Sequence, residues 1–261
     1  MKAFLLTIAI APFLTGFVLL GKKEARLPAS VDSPTITFTW STDGKAPTLR
    51  EKEKFKNGAY ANHSDADLTP ILIQEAIDQW NAIRGSYLRF ALETTTGDLT
   101  PDNLDERNFI VVQEAPSASV AAYAAPNVDP DSNTIKDCDI VINDVKTSAL
   151  SLLETLTHEL GHCVGLGHPH SNYGAIMSYS RGGHRYRLSP DDKAGAIYLY
   201  PDPAYSADEP KELVGCGTIL GRSSKSGPGA LIYYLLMIPV VASTLRRAHS
   251  QKKLLKFSHG R

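Results

Sequence analysis

Three histidines and one glutamate between positions 158 and 168 are the residues of this chain whose types and spacing best suit metal chemistry. His158 and His162 are four residues apart, so on a helix they project from one face and can share one ion. Glu159 lies about 100° further round the helix, where it can hold a water at the metal without being a ligand. Gly165 lets the chain leave the helix, and His168 returns as a third ligand. Three imidazoles with one open position predict a catalytic zinc site.

The whole run, His-Glu-Leu-Gly-His-Cys-Val-Gly-Leu-Gly-His, resembles the extended zinc signature of the metzincin metalloproteases. Downstream, 175–179 (Ala-Ile-Met-Ser-Tyr) is similar to the methionine turn of that group, and 188–200 is similar to the closing helix of its matrixin branch. Ser178-Tyr179 is closer to the serralysin and astacin pattern than to the Tyr-Pro of matrixins, and the cysteine-containing latency motif of a matrixin propeptide is missing. The nearest match is a matrixin-like catalytic domain over roughly residues 33–203.

This resemblance implies an α+β fold of the metzincin type. A twisted mixed sheet packs on an N-terminal helix and an active-site helix, and a small C-terminal subdomain follows the third zinc histidine. The implied activity is that of a zinc metalloendopeptidase with Glu159 as general base, Tyr179 near the metal as oxyanion stabiliser and Met177 as an apolar floor that is not a ligand. The peptide or protein substrate would extend along an edge strand at 117–125, a stretch that an ordinary edge strand of small residues explains equally well.

A reading from another functional class is a catalytically silent module, stabilised by zinc, that binds peptides or mediates adhesion at the cell surface. Glu159 would then have no task, so the enzyme is favoured. Nucleic acid is not an expected partner. Six of the 27 basic side chains lie in 246–261, and the rest of the chain has 21 basic against 28 acidic side chains, so it is acidic overall.

Apolar periodicity and capping residues predict the elements that position the site. Ser148 is the expected N-cap of the active-site helix, and Ser189 with Pro190 is expected to begin the closing helix. The other predicted elements are a helix from Thr69-Pro70 and strands at 36–40, 88–92, 109–112 and 139–143.

Two further features concern calcium and cysteine. Asn127, Asp129, Asp131 and Asn133 alternate like oxygen ligands, so a Ca²⁺ ion is a minor prediction beside an ordinary solvated turn. Of the three cysteines, Cys138 could pair with Cys163 or with Cys216. Cys163 follows a zinc ligand directly, but a small buried thiol that faces the core is expected there rather than a fourth ligand.

Apolar segments flank the domain and predict export. Residues 1–29 resemble a signal peptide or signal anchor, with 30–205 as the catalytic domain and 206–225 as a linker. Residues 226–245 are uncharged and long enough for a transmembrane helix, followed by a basic cytoplasmic tail at 246–261. The catalytic domain is therefore expected outside the cytoplasm at the cell membrane, or secreted if the C-terminal segment is a processed sorting signal.

Overall fold

A computed structural model describes residues 16–41, 45–97, 99–101, 105–114, 120–170, 172–179 and 186–205. Over these residues the helices are α1 (Asp65–Asn81), α2 (Ala149–Val164) and α3 (Pro190–Leu199), with irregular 3-10 turns across Lys52–Gly58. The strands are β1 (Val18–Leu19), β2 (Thr35–Ser41), β3 (Leu49–Arg50), β4 (Arg89–Thr95), β5 (Asn108–Gln113), β6 (Ala122–Val128), β7 (Ile135–Asn143), β8 (Thr147–Ser148) and β9 (Leu166–Gly167).

Five of these strands form the central sheet in the order β4-β2-β5-β7-β6. The pairs within β4-β2-β5-β7 are parallel, and β6 runs antiparallel to β7 as an edge strand. In β2 the apolar side chains Ile36, Phe38 and Trp40 are buried and the threonines between them are more exposed, as their alternation predicts. The mixed α+β architecture is confirmed.

Helices α1 and α2 pack on one face of this sheet and enclose the main core. Trp80 of α1 donates an indole hydrogen bond to the carbonyl of Thr157 in α2, over 3.0 Å, so the two helices are joined by a polar contact as well as by apolar burial. The core between helices and sheet includes Leu72, Ile77, Ile110, Ile140, Leu156 and Leu160.

The predicted start of α1 at Thr69-Pro70 is wrong by about one turn. Ser64 is the N-cap, because its side chain accepts a hydrogen bond from the amide of Asp67. Pro70 therefore lies inside the helix. Thr69-Pro70 is typical of a helix start, since proline is favoured at the first helical position, but the cap at Ser64 extends the helix by about one turn before it.

The other two helix starts are confirmed. Ser148 caps α2 by accepting a hydrogen bond from the amide of Ser151. Ser189 caps α3, Pro190 is its first residue, and Asp192 completes a capping box with Ser189. Helix α2 ends at Gly165, which has a φ of 105°, so the chain turns sharply between the second and third histidines.

The N-terminal residues that the structure describes pack against the domain. Strand β1 pairs with β9 immediately before His168, and the amide of Leu20 donates to the carbonyl of Gly165 over 2.8 Å. Leu27 is buried, and its amide donates to the hydroxyl of Tyr200 over 2.8 Å. Residues 17–27, here called the N-terminal strap, thus contact the turn that leads to the third histidine.

Flanking apolar helices are not found in the part of the chain that the structure describes. None of its helices there is long and apolar enough to cross a membrane. At the end of the apolar N-terminal run, Val18–Leu19 form a strand rather than the helix expected of a signal or anchor, because their backbone pairs with β9. The rest of that run, the linker at 206–225, the predicted transmembrane helix at 226–245 and the basic tail lie outside the described residues.

Candidate metal centre

The three histidines of the predicted site converge on one point. His158 and His162 come from neighbouring turns of α2, and His168 follows the short strand β9. The Nε2 atom of His168 lies 3.0 Å from that of His158 and 3.1 Å from that of His162. Among the described residues, this is the one cluster of three or more metal-binding side chains with ligand atoms within 4.8 Å of one another.

Backbone carbonyls set the tautomers of the two helical ligands. His158 Nδ1 lies 2.7 Å from the carbonyl oxygen of Ile176, and His162 Nδ1 lies 2.8 Å from that of Leu166. A neutral ring that donates from Nδ1 keeps a lone pair on Nε2. Burial also lowers the pKa of His162, which favours its neutral, metal-binding form.

This donor set fits zinc. Lone pairs that converge within about 3 Å repel one another unless a cation lies between them. His158, His162 and His168 would hold a zinc ion through these nitrogens, the ligand type that catalytic zinc sites use. The structure thus brings His158, His162 and His168 together as the sequence predicts, and their binding of zinc stays a prediction.

Glu159 lies beside the cluster in a largely buried position, with 7% of its surface exposed. Its Oε2 atom accepts a hydrogen bond of 2.9 Å from the backbone amide of Ala124 in β6. The carboxylate therefore reaches the edge strand β6 from the helix that carries His158 and His162. Sequence reasoning missed the Ala124 amide, since a backbone donor has no signature in residue type.

Met177 is buried beneath α2, as predicted for an apolar floor. A Cβ atom at Gly161 would lie 2.2 Å from its sulfur and 3.0 Å from the ring of Trp80. Gly161, between the ligands His158 and His162, is thus required for the close approach of the methionine turn to the ligand-bearing helix.

The side chain of Asp192 binds the backbone of this methionine turn. The carboxylate, which is 1% exposed, accepts hydrogen bonds from the amides of Ile176, Met177 and Ser189 at 2.9, 3.2 and 2.8 Å. An acidic residue near a helix start is explained by the helix dipole alone, so residue type gives no sign of these contacts to the methionine turn.

Tyr179 lies against the third ligand. Its ring stacks on that of His168 with centroids 3.6 Å apart and also lies beside His170, and 69% of the tyrosine is exposed. The residue is therefore next to the cluster on the solvent side. Its role as an oxyanion stabiliser stays a prediction.

A disulfide joins Cys138 of β7 to Cys163 of α2. The Cys138–Cys163 pairing is one of the two predicted alternatives, and both cysteines are fully buried. Cys163 does face the core, but the expectation of a free thiol there is wrong because its sulfur is shared with Cys138. Cys216 lies outside the described residues.

The four residues of the calcium prediction lie in or after β6, apart from the metal cluster. Asp129 accepts hydrogen bonds from the amides of Asp131 and Ser132, and its other oxygen pairs with Lys136 at 2.8 Å. Lys136 first, and then those two amides, lower the pKa of Asp129 to about 2. Asn127 belongs to β6, and Asn133 has a left-handed backbone with a φ of 55°. Calcium binding here stays a prediction.

Comparisons with known proteins bear on this site. The family model described as matrixin matches residues 52–201, which include all three histidines. No curated protein matches the chain. Similar solved structures include one described as "GM1 bound form of the ECX AB5 holotoxin", with 13% identity, a TM-score of 0.42 and coverage of 71% of this chain and 87% of that chain. That likeness is too weak to bear on function.

Proposed function

This chain belongs to the matrixin family of zinc metalloproteases, and from that premise we propose that it is an endopeptidase in which Glu159 is the general base. The observation that supports the proposal most directly is the placement of Glu159. Its buried carboxylate lies one residue from a ligand of the three-histidine cluster and is held at the edge of the sheet.

Zinc bound to His158, His162 and His168 supplies a Lewis acid that lowers the pKa of a water and polarises a carbonyl. Glu159 takes the proton from the attacking water and delivers it to the leaving amine as the peptide bond breaks. Tyr179 is proposed to donate its hydroxyl hydrogen to the developing oxyanion from its position against His168. His158 and His162 keep their orientation because their Nδ1 atoms are hydrogen-bonded to the carbonyls of Ile176 and Leu166.

The substrate is proposed to be an extended peptide that lies along β6. In the described part of the chain this strand is an edge of the central sheet, so no described strand pairs with one side of its backbone. The contact between Ala124 and Glu159 supports this placement, because a peptide along β6 would pass beside the proposed base. Export to the cell surface or beyond is proposed from the apolar and basic segments of the sequence.

Metal analysis and proteolysis of the purified chain test this function. We expect one zinc per chain and cleavage of an unstructured protein that is lost on chelation and restored by zinc. Glu159→Gln should keep the zinc and lower kcat by at least about a hundredfold, the lower end of typical general-base contributions. Glu53→Gln, at an exposed position away from the cluster, is the matched control.

Each contrary result has a distinct meaning. A folded chain without zinc would overturn the metal assignment. Full activity in Glu159→Gln would remove the general base. Stoichiometric zinc with peptide binding and no cleavage would favour the silent peptide-binding or adhesion module instead.

A further inference from the structure

The amide of Ala124 reaches Glu159 because of its place in the strand register. The amide of Asn143 in β7 donates to the carbonyl of Ala121, so Ala121 belongs to a hydrogen-bonded pair across the two strands. Bonded and non-bonded pairs alternate along an antiparallel ladder, which directs the N–H and C=O groups of Ala122, Ala124 and Pro126 away from β7. The 2.9 Å hydrogen bond from Ala124 to Glu159 confirms this direction. Pro126, at another outward position, has no N–H to donate.

Two connections hold α2 against the same pair of strands. One is the hydrogen bond from Ala124 to Glu159. The other is the disulfide from Cys163, one helix turn after Glu159, to Cys138, which lies opposite Pro126 in the register. The disulfide therefore fixes the spacing between helix and strands close to the carboxylate.

A glutamate side chain loses substantial rotamer freedom when it is confined to one geometry. In this chain the confinement exists before any substrate arrives, since the carboxylate is 7% exposed and already bonded to a rigid backbone donor. A group that is already oriented before the reaction loses no further conformational entropy during it.

We propose that the backbone amide of Ala124 is the positioning group for Glu159, and that it acts on turnover through the placement of this carboxylate rather than on substrate binding. The inference rests on the proposed function, in which Glu159 is the general base. Ala124 itself touches no reacting atom in this scheme.

Removal of this single N–H in the full-length protein tests the inference. Ala124→Pro deletes the amide, and an edge-strand position whose N–H points away from its neighbour tolerates proline. We expect zinc content to stay at one per chain and kcat to fall about ten- to a hundredfold, as for loss of a hydrogen bond to a charged group. KM should change by less than about threefold.

The matched control is Thr94→Pro, which removes an outward amide from an exposed position of β4, the opposite edge of the same sheet. It should leave both kcat and KM as they are. If Ala124→Pro unfolds, replacement of Ala124 by lactic acid exchanges only its N–H for an ester oxygen. A kcat equal to that of the wild type in either Ala124 variant, or a loss confined to KM, would overturn the inference.

Amide hydrogen exchange separates this inference from the proposed function, because it needs no activity. In the wild type the Ala124 amide should exchange slowly, and Glu159→Ala should speed its exchange about tenfold or more while that of Ala122 stays the same. Unchanged exchange at Ala124 would overturn the positioning role even in an active protease. If the wild-type protein cleaves no peptide, the proposed function fails, whatever exchange shows about the contact.

Discussion

The carboxylate of Asp192 accepts a hydrogen bond from the amide of Ile176, and the carbonyl of Ile176 accepts a hydrogen bond from Nδ1 of His158. Helix α3 is thereby connected to the predicted zinc ligand His158 of α2 through the backbone of one residue. The orientation of His158 thus depends on a side chain that is 34 residues away in the sequence and does not touch the metal.

Asp192→Asn should weaken both zinc binding and the fold. The amide group of asparagine would place an NH₂ where one carboxylate oxygen now accepts a backbone N–H, which leaves a buried donor without a partner at a cost of about 1–3 kcal/mol. We expect zinc affinity to fall roughly tenfold, as for loss of an outer-shell partner. Competition with a zinc chelator and thermal unfolding measure the two effects.

Lys193→Gln is the control for this change, because it alters the exposed neighbour of Asp192 on the same helix. It should leave zinc affinity and Tm as they are. Equal zinc affinity in Asp192→Asn and the wild type would contradict the link from α3 to His158.

Tyr179→Phe removes the hydroxyl of Tyr179 and keeps its ring, so it tests the contribution of the hydroxyl alone. Phenylalanine keeps the stacking on His168, so zinc content and folding should not change. If the hydroxyl stabilises the oxyanion, kcat should fall about tenfold to a hundredfold with little change in KM. Steady-state kinetics on one peptide substrate measure this split. Tyr173→Phe, at another exposed tyrosine, is the control, and equal kcat in both variants would remove Tyr179 from the catalytic residues.

The disulfide between Cys138 and Cys163 should stabilise the domain mainly by restricting the unfolded chain. The two cysteines are 25 residues apart, and a loop of that size corresponds to about 3 kcal/mol. The double variant Cys138→Ala/Cys163→Ala should lose about that much unfolding free energy in a denaturant titration, and reductant should not destabilise it further. Reductant that fails to lower the stability of the wild type would contradict the pairing.

Asp137 should make the fold less stable as pH rises. It is fully buried in β7, and burial, followed by the charges of Asp139 and Asp105, raises its pKa from 3.8 to about 7. Between pH 4 and 7 the folded state binds a proton that the unfolded state has released, so unfolding free energy from this residue falls over that window. Asp137→Asn should flatten the fall and raise Tm by roughly 5 °C at pH 8.

The exposed Asp32→Asn is the control for Asp137, because it removes a carboxylate that is already in solvent. Its pH profile of Tm should follow that of the wild type. A parallel profile in Asp137→Asn would mean that the buried carboxyl does not titrate in this window.

Much of this site could be predicted from residue types, because imidazole and carboxylate chemistry is fixed by the side chain. His158, His162 and His168 follow from helical spacing and a glycine turn, and the caps at Ser148 and Ser189 follow from local hydrogen bonding. The strands of the sheet follow from alternation of apolar residues such as Phe38 and Trp40.

Contacts made by backbone groups could not be predicted in this way. The amide of Ala124 and the carbonyl of Ile176 gain their roles from strand register and from the packing of distant elements. An apolar composition around Leu19 is typical of signal sequences and also of strands that pack on a domain, so the pairing of β1 with β9 could not be predicted from it. Composition identifies an apolar run, and only tertiary structure identifies what it packs against.

A comparison of two glycines tests whether the N-terminal strap belongs to the folded protein. Gly165 and Gly58 both have positive φ values, 105° and 80°, so alanine strains the backbone at either position by about 1 kcal/mol. At Gly165 a Cβ atom would also lie 2.2 Å from the carbonyl oxygen of Ala25 in the strap, whereas at Gly58 the nearest atom is 3.5 Å away. Gly165→Ala should therefore cost clearly more, roughly 3 kcal/mol against 1, since overpacking adds to the backbone strain.

The same comparison reports on cleavage of the leader. Thermal unfolding of both variants, purified after export, measures the difference in stability, and a zinc chelator competition shows whether His168 is displaced. If the exported protein begins near Ser30, Ala25 is absent and most of the difference should disappear, because the remaining close neighbour of a Cβ at Gly165 is the side chain of Leu199 at 3.2 Å. A larger loss in Gly165→Ala, together with weaker zinc binding, means that the strap is retained and supports the turn between the second and third zinc ligands.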